Sequence, residues 1–365
     1  MSVNPGEPVK LQTTSDYATP DPANKGGPKY GHYAALDPEF AKLKPAIDAN
    51  IAQLFAIEDW AAFRAAWLAP SPLPAGCPQP GTDVHVRYTK MPTRDGAEIE
   101  LKIMEAAATT HINKDATDNV CVLRLHGGGW SVGGHETEAV ENLRVAHRPG
   151  VVLVSVDYRL APEYRYPYPL NDCEDALRWV QAHAAELRIN PAKIVLLGGS
   201  AGSNLALALA LRAREAHVGG IVGMVLDWPT GAHPKFFPQL RERDGYELES
   251  YGQNFYATVV TPPVMEFFLA SYTPDPQPDP GHSPLLADSF KDLPPALLQI
   301  AGYDPLRDEG LAVAEKLKKD GVPTEVHVYA GLPHVFSSLL PELPQSKDLF
   351  ARQEAFIDKI VKGTN

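Results

Sequence analysis

The chain has few cysteines, no basic cluster and no long apolar run. Its 365 residues include three cysteines, Cys77, Cys121 and Cys173, which are too few and too odd in number for a disulfide framework. The formal net charge is −12, whereas a surface that binds nucleic acid needs clustered Lys and Arg. No segment approaches the roughly 18 uninterrupted apolar residues of a membrane-spanning helix. We therefore expect no nucleic-acid partner, no membrane span and no disulfide scaffold.

Targeting and cofactor signals are also absent. The N-terminal sequence MSVNPGEPVK has neither a basic region nor an apolar region, which argues against a signal peptide and favours the cytoplasm. No Cys or His pair has the spacing of metal ligands within a suitable element, so we expect no metal. No cofactor motif occurs, and none is predicted. The sequence leaves the oligomeric state open, and a homodimer is possible.

What is present is a globular composition, with 44% apolar and 21% charged residues. Proline content, hydrophobic periodicity and turn residues divide the chain into segments. We predict an extended or disordered arm (1–35), N-terminal cap helices (36–80), a core of strands and helices (81–229), a cap insertion rich in proline and aromatic residues (230–284) and the rest of the core (285–365). The first cap helix begins after Asp37, a good N-cap, and Pro45 is expected to kink or split it.

Apolar strands alternate with amphipathic helices from residue 119 to the C-terminus. Examples are the strand VVLVSVDY followed by the helix LNDCEDALRWVQAHAAEL, and the helix ETEAVENLRVAHR before them. An alternating hairpin around TRDG precedes this region. The pattern predicts an α/β fold whose mostly parallel sheet of about eight strands is covered by helices on both faces.

A serine lies on a glycine-rich turn between a predicted strand and a predicted helix. In VLLGGSAGSNL, Gly198, Ser200 and Gly202 form G-x-S-x-G in the strand–turn–helix setting that identifies a nucleophile elbow. Small residues at both glycine positions prevent collisions when the serine projects above the sheet. The alternative, an ordinary serine in a glycine turn, is the weaker interpretation because of these flanking elements.

An upstream loop can supply donors for an oxyanion. In LRLHGGGW, three glycines follow a strand, and their backbone N–H groups can approach a substrate closely. Phosphate binding as in a dinucleotide fold is the alternative, but the spacing is not G-x-G-x-x-G. We expect His126 to brace this loop rather than to act as a base.

The order Ser, then acid, then His selects the remaining catalytic candidates. Asp304 ends the strand PALLQIAGYD, and His334 follows the strand TEVHVYAG, so both lie at the sheet edge where Ser200 lies. Asp308 is an alternative acid, but its place within a helix favours a solvated or salt-bridged residue. His327, inside a strand, fits packing or solvent exposure better than catalysis.

Taken together, HGGGW, DYRLAPE, GGSAG, GYDPLRDEG and LPHVF resemble the hormone-sensitive-lipase branch of the α/β-hydrolases, over residues 84–365. The resemblance implies an α/β-hydrolase fold with a helical cap, and a carboxylesterase that acts on short- to medium-chain esters. It implies Ser200 as nucleophile, Asp304 as acid and His334 as base. It also implies an oxyanion hole formed by Gly127, Gly128 and Ala201.

Three positions depart from the pattern of that branch. Gly199 replaces the usual Asp or Glu, Ser203 replaces a common glycine, and Val335 replaces the glycine that commonly follows the histidine. All three are close to the catalytic candidates, so they bear on the shape of the pocket and on the substrate. We predict a substrate pocket that includes Trp130, Gly199, Trp228, Phe255 and Val335.

The leading hypothesis is a serine carboxylester hydrolase that forms an acyl-enzyme with a small-molecule ester. The same catalytic residues could open a lactone, cleave an aryl formamide or amide, or transfer the acyl group to an alcohol. A catalytically silent small-molecule receptor on the same scaffold is the second hypothesis. The presence of His334 argues against it, because receptor relatives of this branch lack that histidine.

Overall fold

The computed structural model describes residues 2–25, 27–107 and 118–363. One eight-stranded sheet runs through the molecule in the order β1-β2-β4-β3-β5-β6-β7-β8. The strands are β1 Val84–Pro92, β2 Glu98–Ala106, β3 Asn119–Leu125, β4 Val151–Val156, β5 Ile189–Gly199, β6 Ile221–Asp227, β7 Ala296–Tyr303 and β8 Thr324–Pro333. The first two form an antiparallel hairpin, β2 pairs antiparallel with β4, and the remaining pairs are parallel.

Helices cover both faces of the sheet and build a cap above one edge. They are α1 Pro38–Phe55, α2 Trp60–Trp67, α3 Ala139–Ala146, α4 Tyr168–Ala182, α5 Ala184–Leu187, α6 Ala201–Glu215, α7 Phe237–Asp244, α8 Ser250–Gln253, α9 Pro262–Tyr272, α10 Arg307–Lys319, α11 Phe336–Leu339 and α12 Pro344–Lys362. Asp37 caps α1 by accepting hydrogen bonds from the backbone N–H groups of Glu39 and Phe40. The expected split at Pro45 is wrong, because α1 runs through this residue unbroken.

The core lies on both sides of the parallel strands. Along β5, Ile194 and Leu196 belong to one apolar cluster, and Val195 and Leu197 belong to a second cluster on the opposite face. This alternation follows from the two-residue period of a strand. All four side chains are fully buried. The mostly parallel sheet of eight strands with helices on both faces, predicted from the sequence, is confirmed.

The N-terminal arm follows an extended course over the cap. The Val9 N–H donates to the carbonyl of Glu58, and the side chain of Val9 is buried against α2 and α9. Further along, the Asp21 N–H donates to the carbonyl of Gly252. Within residues 2–25 and 27–35, the contacts describe an arm attached to the cap; Met1 and Gly26, which the predicted arm includes, lie outside the described residues.

The parallel strands bring their carboxyl ends to one edge of the sheet. The turns after β5, β7 and β8 meet there, below the cap helices α8 and α9. Open α/β sheets bind ligands at this edge. In the described parts of the chain, no helix is both long and apolar enough to cross a membrane.

Candidate active site

Ser200 occupies a strained turn between β5 and α6. Its backbone has φ 55° and ψ −121°, a conformation that L-residues rarely adopt. A Cβ atom added to Gly202 would lie 2.0 Å from the carbonyl oxygen of Leu125, and one added to Gly198 would lie 2.2 Å from the carbonyl of Gly202. The two glycines of the motif are thus required by close backbone approach. A sharp strand-to-helix turn of this kind exposes a serine hydroxyl at the sheet edge.

Ser200, His334 and Asp304 form one hydrogen-bonded chain. Nε2 of His334 lies 2.8 Å from Oγ of Ser200, and Nδ1 of His334 lies 2.6 Å from Oδ2 of Asp304. The three residues come from the ends of three strands, β5, β7 and β8, as the sequence order predicts. His334 and Asp304 are buried, and Ser200 is 8% exposed. The arrangement has the geometry of a nucleophile, a base and an orienting carboxylate.

The loop that carries Asp304 is fastened to the cap. Oδ1 of Asp304 accepts the Leu306 N–H at 2.9 Å, and the backbone carbonyl of Asp304 accepts the Asn254 side-chain amide at 2.8 Å. Asp308 faces elsewhere: it pairs with buried Arg307 at 2.8 Å and accepts the backbone N–H of Ser250. The structure therefore joins Asp304, and not Asp308, to the histidine, and Asp308 is buried in a salt bridge rather than solvated.

The glycine loop after β3 carries two of the three predicted oxyanion donors, Gly127 and Gly128. The Gly127 N–H donates to Oε1 of Glu138 at 3.2 Å, so this group already has an acceptor. Within the described chain, the N–H groups of Gly128, Gly129 and Ala201 have no hydrogen-bond acceptor. Donors intended for a developing charge must be free of other acceptors. The geometry therefore favours Gly128 and Gly129, with Ala201, over Gly127.

His126 braces the same loop. Its ring stacks on Tyr158 with centroids 4.1 Å apart, and its Nδ1 lies 2.7 Å from the carbonyl oxygen of Gly127. Burial lowers the pKa of His126 to about 3, so the ring is neutral near neutral pH. A neutral, stacked imidazole fits the bracing role that the sequence suggests. The contacts of His126 are with Gly127 and Tyr158, whereas the ring beside Ser200 is that of His334.

The predicted pocket residues occupy different environments. The Trp228 ring lies 5.9 Å from the His334 ring, and Val335 follows the histidine with φ 52°. Trp130 stacks on Tyr272 with centroids 4.5 Å apart and is buried in the core. Phe255 is buried and packs edge-on against Tyr256. Contact with a substrate remains a prediction for these residues and for Gly199, which adjoins the Trp228 ring.

A buried set of charged groups lies beneath the nucleophile. Arg124 and Glu138 form an ion pair of 2.8 Å, with their side chains 1% and 3% exposed. Asp227 is close by, and its carbonyl oxygen accepts the N–H of Ser200. Burial raises the pKa of the Asp227 carboxyl to about 7. The side-chain amides of Gln299 and Gln353 donate to that carboxyl.

Sequence reasoning missed Glu138, Asn254 and Phe268. A Cβ atom on Gly129 would lie 2.3 Å from the Phe268 ring, so α9 of the cap presses directly on the oxyanion loop. Asn254 holds the Asp304 loop from α8's carboxyl end. No motif identifies either cap residue. For Glu138, the absence of an acid at Gly199 was the one signal in the sequence that pointed to a carboxylate from elsewhere.

Among the residues described, no group of three or more His, Cys, Asp and Glu side chains could hold a metal ion.

Comparison with known proteins identifies the family. A sequence model described as the alpha/beta hydrolase fold matches residues 122–338. An AB hydrolase superfamily protein of Schizosaccharomyces pombe is 36% identical over 73% of this chain and 77% of its own length. An arylesterase of Saccharolobus solfataricus is 34% identical over 66% of this chain and 78% of its own length.

Solved structures give the same result over more of the chain. A bacterial heroin esterase superimposes with a TM-score of 0.73 at 28% identity, covering 91% of this chain and 99% of the esterase. The matched part therefore includes cap as well as core.

Proposed function

Since this chain belongs to the alpha/beta hydrolase fold family, in its hormone-sensitive-lipase-like carboxylesterase branch, we propose that Ser200, His334 and Asp304 carry out its ester hydrolysis. The comparisons confirm the resemblance found in the sequence motifs. The observation that carries the assignment of residues is the Ser200–His334–Asp304 chain, with separations of 2.8 and 2.6 Å. Such a chain both activates a serine and orients its base.

In the proposed reaction, His334 accepts the Ser200 proton while Oγ attacks the acyl carbon of the ester. Asp304 fixes the ring so that Nε2 faces the serine, and its charge stabilises the imidazolium that forms. The carbon–oxygen bond to the alcohol breaks, His334 protonates the departing alkoxide, and an acyl-enzyme remains. Water then gives a proton to His334 and attacks the acyl carbon; the bond between the acyl carbon and Oγ breaks, His334 returns the proton to Oγ, and the acid is released.

The proposed oxyanion hole comprises the N–H groups of Gly128, Gly129 and Ala201. The first two belong to the glycine loop after β3, and the third is the first residue of α6. The amino end of α6 adds the positive end of its dipole to the same place. Removal of one such donor in other hydrolases costs about 10²–10³ in kcat.

We propose small-molecule esters with short- to medium-chain or more specialised acyl groups as substrates. The support is the burial of the catalytic residues below the cap, where Phe268 presses on the oxyanion loop. A site enclosed in this way excludes bulk water and limits the size of the acyl group. The intact contact between Ser200 and His334 argues against a silent receptor.

Two further proposals concern the cellular location and the oligomeric state of the protein. We propose a cytoplasmic location, which the three buried, free cysteines support because thiols stay reduced there. A homodimer is the second proposal, since β1 is an edge strand that pairs only with β2 among the strands of the sheet. Fractionation of cells and light scattering on the purified protein test these proposals separately.

The catalytic proposal is tested with p-nitrophenyl esters of two to eight acyl carbons and with a fluorophosphonate label. We expect hydrolysis by the wild type, loss of up to about 10⁶-fold in kcat for Ser200→Ala, and labelling at Ser200. Ser203→Ala is the matched control. Its hydroxyl donates to the carbonyls of Gly198 and Asp227, so this variant should still be labelled at Ser200. Labelling at another residue, or equal activity in Ser200→Ala, would refute the assignment.

A further inference from the structure

The carboxylate of Glu138 occupies the space beside Gly199. A Cβ atom added to Gly199 would lie 2.9 Å from Oε1 of Glu138 and 3.5 Å from Nη2 of Arg124. Real Cβ atoms essentially never approach an atom this closely, so any side chain at position 199 would have to displace Glu138. The Glu138 carboxylate can therefore take this position only because residue 199 is a glycine.

Glu138 is held in a conformation that suits this contact and not its helix. The residue precedes α3 as its N-cap, yet its side chain makes no capping hydrogen bond. Its backbone lies in the left-handed region, at φ 53° and ψ 41°. Strain of this kind persists where surrounding contacts enforce it and is concentrated at functional sites. The side chain points instead at the Gly127 N–H and at Arg124.

These contacts fix one end of the glycine loop, and backbone hydrogen bonds fix the other. Glu138 accepts the Gly127 N–H at 3.2 Å, and the Gly128 carbonyl accepts the N–H groups of Ser131 and Val132 at 3.1 and 3.0 Å. With these groups engaged, the N–H groups of Gly128 and Gly129 are left without acceptors in the described chain. The Arg124 guanidinium forms a 2.8 Å ion pair with the same Glu138 carboxylate and so fixes its position beside the loop.

We propose that Glu138 is the positioning residue of the oxyanion hole, and that it supplies from the start of α3 the carboxylate that Gly199 does not supply from the elbow. This inference rests on the proposed ester hydrolysis by Ser200. Glu138 itself does not touch the reacting atoms. It acts through Gly127, by fixing the loop so that the next two amides are free to bind the charge that develops on the substrate.

The test compares Glu138→Ala, Glu138→Gln, Gly199→Asp and the double variant Glu138→Ala/Gly199→Asp in the full chain. We expect Glu138→Ala to lower kcat by about 10–100-fold with little change in KM, because a misplaced donor loses its transition-state contact. Glu138→Gln keeps the size but turns an amide towards Arg124, so we expect an intermediate loss. Gly199→Asp alone should also lose activity, because two carboxylates then compete for one space.

The double variant is the decisive member of the set. It places a carboxylate at position 199 and removes the one at 138, so we expect kcat to return to within about fivefold of the wild type. A merely structural role for Glu138 would not produce this recovery. Should Glu138→Ala fail to fold, Glu138→Gln and the double variant give the same comparison, with folding checked by circular dichroism.

A second measurement separates positioning from stability. A trifluoromethyl ketone adds to the serine and places an oxyanion in the hole, so its inhibition constant should rise by the factor by which kcat/KM falls. Glu141→Gln is the matched control, since Glu141 is a buried acid on the same helix that accepts the Ser337 hydroxyl. We expect this variant to lose stability and keep kcat within about twofold.

The outcomes distinguish the two proposals. If the wild type neither hydrolyses esters nor takes the fluorophosphonate label at Ser200, the proposed function fails. If the wild type is active and folded Glu138 variants match its kcat and its inhibition constant, the proposed function stands and the role of Glu138 is refuted. A folded double variant that stays as slow as Glu138→Ala would refute it equally.

Discussion

Asp304 and Asp308 lie four residues apart but have different hydrogen-bond partners, and only one of them contacts the catalytic histidine. Asp304 contacts the Nδ1 side of His334, whereas Asp308 pairs with Arg307 and anchors the cap through the N–H groups of Glu249 and Ser250. Both carboxylates are buried. Burial and charge alone therefore do not identify the acid, and the hydrogen-bond partner does.

We expect Asp304→Asn and Asp308→Asn to fail in different ways. The first should lower kcat by about 10⁴-fold with little effect on folding, because the histidine loses the carboxylate that fixes its tautomer. The second leaves the buried Arg307 charge without its partner and should cost about 3–5 kcal/mol of unfolding free energy. Steady-state kinetics and urea unfolding measure both quantities; a loss of kcat confined to Asp308→Asn would reverse the assignment.

The sequence predicted the residues of this site whose position depends on chain order. Ser200, Asp304 and His334 follow strands of a parallel sheet, and parallel strands end at one edge, so their meeting could be inferred. Glu138 could not be inferred in this way. It depends on how the start of α3 turns towards β3 and the elbow, and no periodicity encodes that turn.

At the scale of elements, the elbow depends on the approach of α6 to β3. Gly202 lies in the first turn of α6, against the carbonyl of Leu125 at the end of β3. The N–H of Ser200 meanwhile donates to the carbonyl of Asp227 at the end of β6. The elbow is thus held by β3 and β6, the two strands on either side of β5, and a shift of α6 would move Ser200 away from both.

Gly202→Ala should therefore be costly. The added methyl group would lie 2.0 Å from the Leu125 carbonyl oxygen and 2.7 Å from that of His126, and backbone atoms cannot rotate away as a side chain can. We expect a loss of about 3 kcal/mol or more in unfolding free energy, together with lower kcat. The control is Gly219→Ala, where an added Cβ meets nothing within 4 Å. Equal urea midpoints for the two variants would show that the elbow tolerates a wider separation.

The boundary of α3 shows where element prediction reached its limit. The sequence ETEAVENLRVAHR predicted a helix from Glu136, but α3 begins at Ala139. Residues 136–138 are excluded because Glu138 adopts a positive φ and directs its side chain at Arg124. Local propensity favours helix here, and a contact from a distant strand overrides it. The misplaced boundary coincides with the residue that we propose positions the oxyanion loop.

At the scale of the whole molecule, the N-terminal arm contacts cap residues that are more than 200 positions away in sequence. The Ser15 hydroxyl and the Asp16 N–H bind the carboxylate of Glu266 on α9, and the Lys29 N–H donates to Glu247. A cavity of about 440 Å³ lies between the arm and α9. The composition of residues 1–35 predicted an extended or disordered segment, and these contacts could not be inferred from it because they depend on the folded cap.

Val9→Ala tests whether the arm stabilises the molecule. Val9 is 2% exposed among aromatic side chains of α2 and α9, so removal of its two methyl groups should cost about 2 kcal/mol of unfolding free energy. Lys10→Ala, at the exposed neighbouring position, is the control and should stay within about 0.5 kcal/mol of the wild type. Urea unfolding that does not separate the two variants would contradict a stabilising role for the arm.

The sequence separation between the arm and α9 also determines when the two can make contact during synthesis. Asp16 leaves the ribosome 250 residues before Glu266. At roughly 5–20 residues per second, the arm waits roughly 10–50 s before the helix that receives it has been made. During that interval Val9 is unprotected, and the cap can close only after α9 has emerged. Premature termination before α9 should therefore yield a chain whose first residues are open to proteases.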